Sequence, residues 1–245
     1  MNPLVLDKHA SLFRAQNGYS NKESIHLKSL LHKLGVLAVF RPLEMEISGM
    51  AMKVGPDNRF MLINTARTLG HQHFTICHEL YHLFIQADFV YHFCQVGIFD
   101  KKDKEEYNAD LFASRLLMPK EGIMALISDR EIEESTISLA TILKIEQYFS
   151  CSRSALLYRM QDLGLIKSQQ LEAFKFSVRR SAMDHGYSLK LYEKDNQEEV
   201  IGNYGDIARK LFEKGAISES HYYSLLEDLG IDFSVLLKNG DEEGG

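Results

Sequence analysis

Apolar positions first fall into a helical rhythm between residues 20 and 35, where Ile25, Leu27, Leu30, Leu31 and Leu34 form one side. Ser20 with Glu23 three residues later has the form of a capping box, and Gly35 ends the predicted helix. A short β-rich run, Val36-Leu37-Ala38-Val39-Phe40, follows. Two strands are then expected at about 46–54 and 59–64, joined by the turn-forming Gly55-Pro56-Asp57-Asn58. Helical spacing returns over about 70–87 through Ile76, Leu80, Leu83 and Phe84. It recurs over 103–118 through Ala109, Phe112, Ala113, Leu116 and Leu117, and Pro119 stops that second helix. The intervening stretch Asp88–Asp100, with Tyr91, His92, Phe93 and Phe99, shows no rhythm that assigns it.

Beyond Pro119 the pattern is helical to about residue 187. The pair 136–149 and 152–163, joined through Ser150-Cys151-Ser152, has the outline of a helix-turn-helix. Strand-like segments at 187–192 and 198–202 precede helices near 205–214 and 218–229, and Asn239–Gly245 is expected to fray. The pattern predicts an α+β protein in three parts. These are a core over 1–125, a helical helix-turn-helix-like region over 126–185, and a small α/β domain over 186–245.

Composition narrows the setting. The 245 residues carry a formal net charge of -6, so binding to nucleic acid or an anionic membrane would need a local basic patch. Cys77, Cys94 and Cys151 are odd in number and widely spaced, which fits reduced thiols better than a disulfide framework. Asp7, Lys8, His9 and Arg14 interrupt the first residues, and no apolar run is long enough to span a bilayer. A cytoplasmic protein without a membrane anchor is expected.

The chemistry sits at His78-Glu79-Leu80-Tyr81-His82, an HExxH motif. Four residues apart on a helix, the two imidazoles share a face and can reach one ion. Zinc acidifies a water and polarises a carbonyl, while Glu79 is placed to take the proton and pass it to a leaving amine. In a chain with ten histidines the motif does not stand alone, because two histidines on a half-buried helix read the same way. Two third ligands compete. Asp88 lies six positions after His82, but Ile85 stands where a glycine would let the helix break. Glu106 opens the next helix, and Asp110 one turn on can accept the free N–H of a ligand histidine. Glu105 points about 100° away from Glu106. Cys77, although a soft ligand by chemistry, faces away from the histidine stripe and reads as a buried structural thiol.

These residues carry a resemblance. The segment Phe74-Thr75-Ile76-Cys77-His78-Glu79-Leu80-Tyr81-His82, with Glu106-Tyr107-Asn108-Ala109-Asp110-Leu111-Phe112-Ala113-Ser114-Arg115-Leu116-Leu117-Met118-Pro119, resembles the ImmA/IrrE family of bacterial metallo-endopeptidases. The family pattern is FT-x-x-HE-x-x-H followed by E-x-x-A-[ND]-x-FA-x-x-LLMP. Ser48-Gly49, Asn64, Phe149-Ser150-Cys151-Ser152, Arg159 and Leu163-Gly164-Leu165-Ile166 extend the likeness over residues 20–166. A weaker echo runs from Gly215 to Leu229. The resemblance implies a zincin-like core of gluzincin type, with one zinc on His78, His82 and Glu106. It also implies regulated cleavage of a helix-turn-helix transcriptional repressor or antitoxin. Tyr81 stands where the family often has glycine, and His73 where arginine is frequent.

Other residues carry less. His71, His73, Tyr91, His92 and Tyr107 each offer a donor to an oxyanion, and the sequence selects none. Met50 and Met52 share a strand face and read as core. Two rival functions remain: a metal-binding sensor or scaffold that holds a repressor uncut, and a DNA-binding regulator using residues 136–166. The second rests on Arg153 and Arg159 without a dense basic face.

Overall fold

A computed structural model describes residues 1–44, 46–94, 103–227 and 229. Helix α1 (Pro3–Gln16) opens it. The Asn2 side chain accepts from the Leu4 N–H, and Pro3 occupies a first-turn position that needs no donor. Leu6, Ala10 and Phe13 recur at helical spacing and bury against the later helix α4 (Lys104–Leu117). The helix expected over 20–35 is shorter than its apolar rhythm, because α2 covers only Leu27–Lys33. The Glu23 carboxylate does accept from the Ser20 N–H, but in a turn. The reason is Arg14, 1% exposed, whose guanidinium donates to the carbonyls of Ser20, Glu23 and Leu116. Those bonds hold residues 20–23 in a loop around a buried cation.

A five-stranded sheet follows: β1 (Val36–Arg41), β2 (Gly49–Val54), β3 (Asn58–Asn64), β4 (Tyr91–Cys94) and β5 (Glu199–Ile201). Its order is β4-β2-β3-β1-β5, with β1 and β3 parallel and the other neighbours antiparallel. The expected hairpin is β2–β3, turning at Gly55 with φ +68, where a side chain would be strained. Part of the unassigned stretch is a strand, since Tyr91–Cys94 pairs with β2, and among the described residues it is the edge of the sheet. Phe99 lies outside the described residues. The segment 187–192, expected as a strand, instead ends in a 3₁₀ turn at Lys190–Tyr192 that tucks Leu191 inward. The strand expected at 198–202 forms as β5 and pairs with β1, extending the sheet formed by the first hundred residues.

Helix α3 (Leu69–Phe84) lies against the sheet and α4, with Leu80, Tyr81, Phe112 and Leu116 in the shared core. After Pro119 come α5 (Lys120–Met124), α6 (Asp129–Glu133), α7 (Leu139–Phe149) and α8 (Arg153–Asp162). The last two are the expected helix-turn-helix pair. Ser150 closes α7 in the left-handed region, and the Ser152 side chain caps α8. Gly70 lets α3 approach this turn, because a Cβ there would lie 2.8 Å from the Ser152 nitrogen. Helices α9 (Ser168–Phe174), α10 (Val178–Asp184), α11 (Tyr204–Glu213) and α12 (Glu219–Glu227) complete the described chain. The expected fraying of Asn239–Gly245 lies outside the described residues. Among the described residues no helix is long and apolar enough to cross a membrane.

Candidate metal centre

Helix α3 presents its motif inward. His78 and His82 are each 1% exposed and Glu79 is fully buried, so none of the three is a solvated surface residue. One turn apart, the imidazoles bring their Nε2 atoms within 3.1 Å of each other. Helix α4 supplies the third group. Its N-cap Asp103 accepts from the Glu105 and Glu106 N–H groups, which fixes the first turn. Glu106 then reaches back, with Oε2 3.2 Å from His78 Nε2 and Oε1 3.1 Å from His82 Nε2. One ligand atom from each of His78, His82 and Glu106 lies within 4.8 Å of the others.

The outer ring nitrogens set the tautomers. His78 Nδ1 donates to Asp110 Oδ1 at 2.9 Å, and His82 Nδ1 donates to Gln86 Oε1 at 2.6 Å. With those protons engaged, both Nε2 lone pairs are directed to the same point. Burial disfavours charge on His78, but the bonds to Asp110 and Glu106 outweigh it and raise its pKa to about 10. Glu106 is desolvated, yet its contacts with His78 and His82 hold it far below the usual carboxylate range. The pocket therefore favours positive charge between the imidazoles, where a divalent ion would supply it. Glu79 adds a second sign. Its Oε1 accepts from the Cys94 thiol, whereas its buried Oε2 has no hydrogen-bond partner among the described residues. A buried carboxylate oxygen left unpaired is costly unless something else is meant to meet it. Two imidazole nitrogens, one carboxylate and an orphaned neighbouring oxygen fit a hydrolytic metal site.

The other candidates separate on position. Asp88, in the left-handed region just past α3, lines the open cleft of about 400 Å³ beside His82 and Glu106 but lies outside the convergent group. Cys77 is fully buried in the core, and burial pushes its pKa up to about 12. Tyr81 is also buried. Its hydroxyl donates to Glu105 Oε2 at 2.7 Å and its ring packs on Phe112, so the bulk fills the α3–α4 seam. His71 Nε2 lies 2.9 Å from Ser48 Oγ, and His73 Nδ1 donates to the Ser150 carbonyl at 2.7 Å. Tyr91 lines the cleft and is exposed, Tyr107 packs against the core, and the His92 side chain lies outside the described residues. Gln86 and Cys94 are additions that sequence reasoning did not single out for the centre, whereas Gly49 stood, with Ser48, among the residues that carry the family likeness. Only Gln86 left a local signal, its spacing of four from His82.

Residues 31–161 match the family model of the M78 peptidases, described as the IrrE N-terminal-like domain. The chain belongs to this family. It is the family the motifs resembled, one of metallopeptidases, and the α+β arrangement of sheet and HExxH helix is its zincin-like fold. No curated protein matches the chain. The M78 match takes in β1 to β4, α3, α4 and the α7–α8 pair, and so encloses the whole candidate centre. Within this M78 centre, Asp110→Ala and Gln86→Ala are each expected to weaken divalent-ion binding by ~10–100-fold. Competition against a chromophoric chelator would measure this. Unchanged affinity in both variants would mean that the histidines need no outer partner.

Proposed function

We propose that this M78 protein is a zinc-dependent endopeptidase. On this reading it cuts a partner protein, a helix-turn-helix repressor or antitoxin, as a regulatory switch in the cytoplasm. The observation that carries the hydrolytic reading is the convergence of His78, His82 and Glu106 beside the orphaned Oε2 of Glu79. His78, His82 and Glu106 would hold one ion, and two imidazoles with a carboxylate suit zinc. When bound, the ion supplies a Lewis acid that acidifies water and polarises the scissile carbonyl. Glu79 Oε2 takes a proton from the attacking water and returns it to the leaving amine nitrogen. Asp110 and Gln86 keep the histidine tautomers fixed during this transfer.

The cleft and the edge of the sheet suit a polypeptide substrate. Among the described residues β4 is the last strand on its side, and its Tyr91 lines the cleft beside His82 and Glu106. An extended segment adding to β4 would be held by backbone hydrogen bonds largely independent of its side chains. The three free cysteines, all buried, suit a reducing compartment. The DNA-binding alternative finds little support in the α7–α8 pair. Arg153 is buried on Glu146 at 2.6 Å, and Arg159 is buried against Asp162 at 2.8 Å and the Met118 carbonyl. Neither guanidinium is presented to a phosphate.

The test is direct. Zinc-loaded protein is incubated with helix-turn-helix repressors encoded beside its own gene, and products are mapped by intact-mass spectrometry. A single cut, blocked by a chelator and restored by zinc, is expected. A repressor that binds but stays whole would favour the scaffold reading instead.

A further inference from the structure

A carboxylate that exchanges a proton through one oxygen works best when its other oxygen is held. Glu79 is in that condition, and any role for its neighbours in catalysis rests on the reading of Glu79 as the base. Its Oε1 accepts from the Cys94 Sγ–H, and its Oε2 has no partner among the described residues. The thiol comes from β4, where Cys94 pairs opposite Gly49 of β2. The Ser48 N–H donates to the Cys94 carbonyl at 2.9 Å, fixing the backbone on both sides of that pair. Gly49 makes the approach feasible. A Cβ there would lie 3.0 Å from Glu79 Oε1, 2.9 Å from the Leu62 carbonyl and 2.7 Å from Thr75 Cγ2. Cys94 is 1% exposed, and burial together with the Glu79 charge keeps its proton on sulfur. Three elements, β2, β4 and α3, thus deliver one weak donor to one oxygen of one carboxylate.

We propose that Cys94 is a positioning residue whose thiol holds Glu79 Oε1 and leaves Oε2 as the only oxygen open to the reacting proton. Its position in an edge strand gives this role a purpose. The strand expected to receive the substrate is also the strand that orients the base, so a displaced β4 would release both. The rival role for the same thiol is ligation, since His78, Glu79 and Cys94 also form a group able to hold an ion.

Acetohydroxamic acid tests this without knowledge of the substrate, because it binds zinc and surrenders a proton to the neighbouring carboxylate. Calorimetric titration of the zinc-loaded full chain is expected to show affinity falling about tenfold in Cys94→Ala, because a carboxylate no longer held at Oε1 must be ordered before Oε2 can meet the hydroxamate proton. Cys94→Ser should recover most of that loss, with zinc content equal in all three proteins. Wild-type affinity in Cys94→Ala, or Cys94→Ser as weak as Cys94→Ala, would overturn the proposal. Zinc lost from Cys94→Ala would overturn it in favour of ligation. Glu79→Gln separates the two layers. If it keeps zinc and binds the hydroxamate as wild type does, the Glu79 reading itself fails. A weaker Glu79→Gln beside an unaffected Cys94→Ala removes only the Cys94 role. The infrared S–H stretch gives a measurement that does not depend on a Cys94 variant folding. One thiol band lowered by hydrogen bonding should move up a little in Glu79→Gln, whose amide oxygen is the weaker acceptor, and further in Glu79→Ala, which has none; a spectrum that does not change in Glu79→Ala would overturn the contact.

Discussion

Glu79→Gln should leave the metal content of the protein intact and remove its peptidase activity by roughly 10²–10⁴-fold, the usual worth of general acid–base catalysis. The substitution preserves volume and the acceptor toward Cys94, so the packing around β2 and β4 has no cause to change. What is lost is an oxygen able to take a proton, and Oε2 is the one without a partner among the described residues. Removing a buried charge even relieves desolvation, since burial already pushes the Glu79 carboxyl upward. The variant should therefore be at least as stable as wild type, and thermal unfolding would check that. Metal content by mass spectrometry and cleavage of the substrate found with wild-type protein would then read the two functions separately. Full activity in Glu79→Gln would end the general-base assignment.

The second large effect is on the metal. Glu106→Ala should lose the ion that wild-type protein retains through purification, whereas Asp88→Ala should keep it. Both carboxylates border the same cleft, so local charge alone would treat them alike. Only Glu106 places its oxygens 3.1 and 3.2 Å from the two Nε2 atoms. Removing it leaves two imidazoles, too few for a stable zinc site. Elemental analysis of protein purified without added metal would decide. Near-stoichiometric zinc in both variants would show that the third ligand lies elsewhere, and an empty wild type after zinc resupply would remove the metal site altogether.

How much of this centre the sequence revealed depends on the range of the interaction. His78, Glu79 and His82 are legible because helical spacing alone puts them together. Glu106 and Asp110 were legible as a pair on one later helix, and their meeting with α3 follows from the apolar faces on both helices. The Cys94–Glu79 bond has no such rule, because it depends on a strand register that pairs Cys94 with Gly49 across 45 positions. The capping-box signal at Ser20 and Glu23 was real local chemistry used for another end. The hydrogen bond forms, but Arg14 commits the same residues to a turn. At 187–192 the alternation of Leu189 and Leu191 reads as a strand, yet only Leu191 is buried and the backbone coils. Buried arginines were the least visible class. Arg14, Arg153 and Arg159 look like surface residues in a sequence and serve here as internal bolts.

Strand β5 gives the sheet a history as well as a shape. It pairs with β1 from more than 150 positions away, and α1, ahead of the family match, covers Phe112 with Phe13. During synthesis the ribosome must release residue 201 before the edge of β1 can be covered. Until then that edge is open to any extended chain nearby. A fragment trimmed to residues 31–161 would carry the same exposure permanently, with both the α4 face and the β1 edge bare. The three candidate ligands are all in hand by residue 106, yet the sheet beside them is finished only by a strand made almost a hundred residues later.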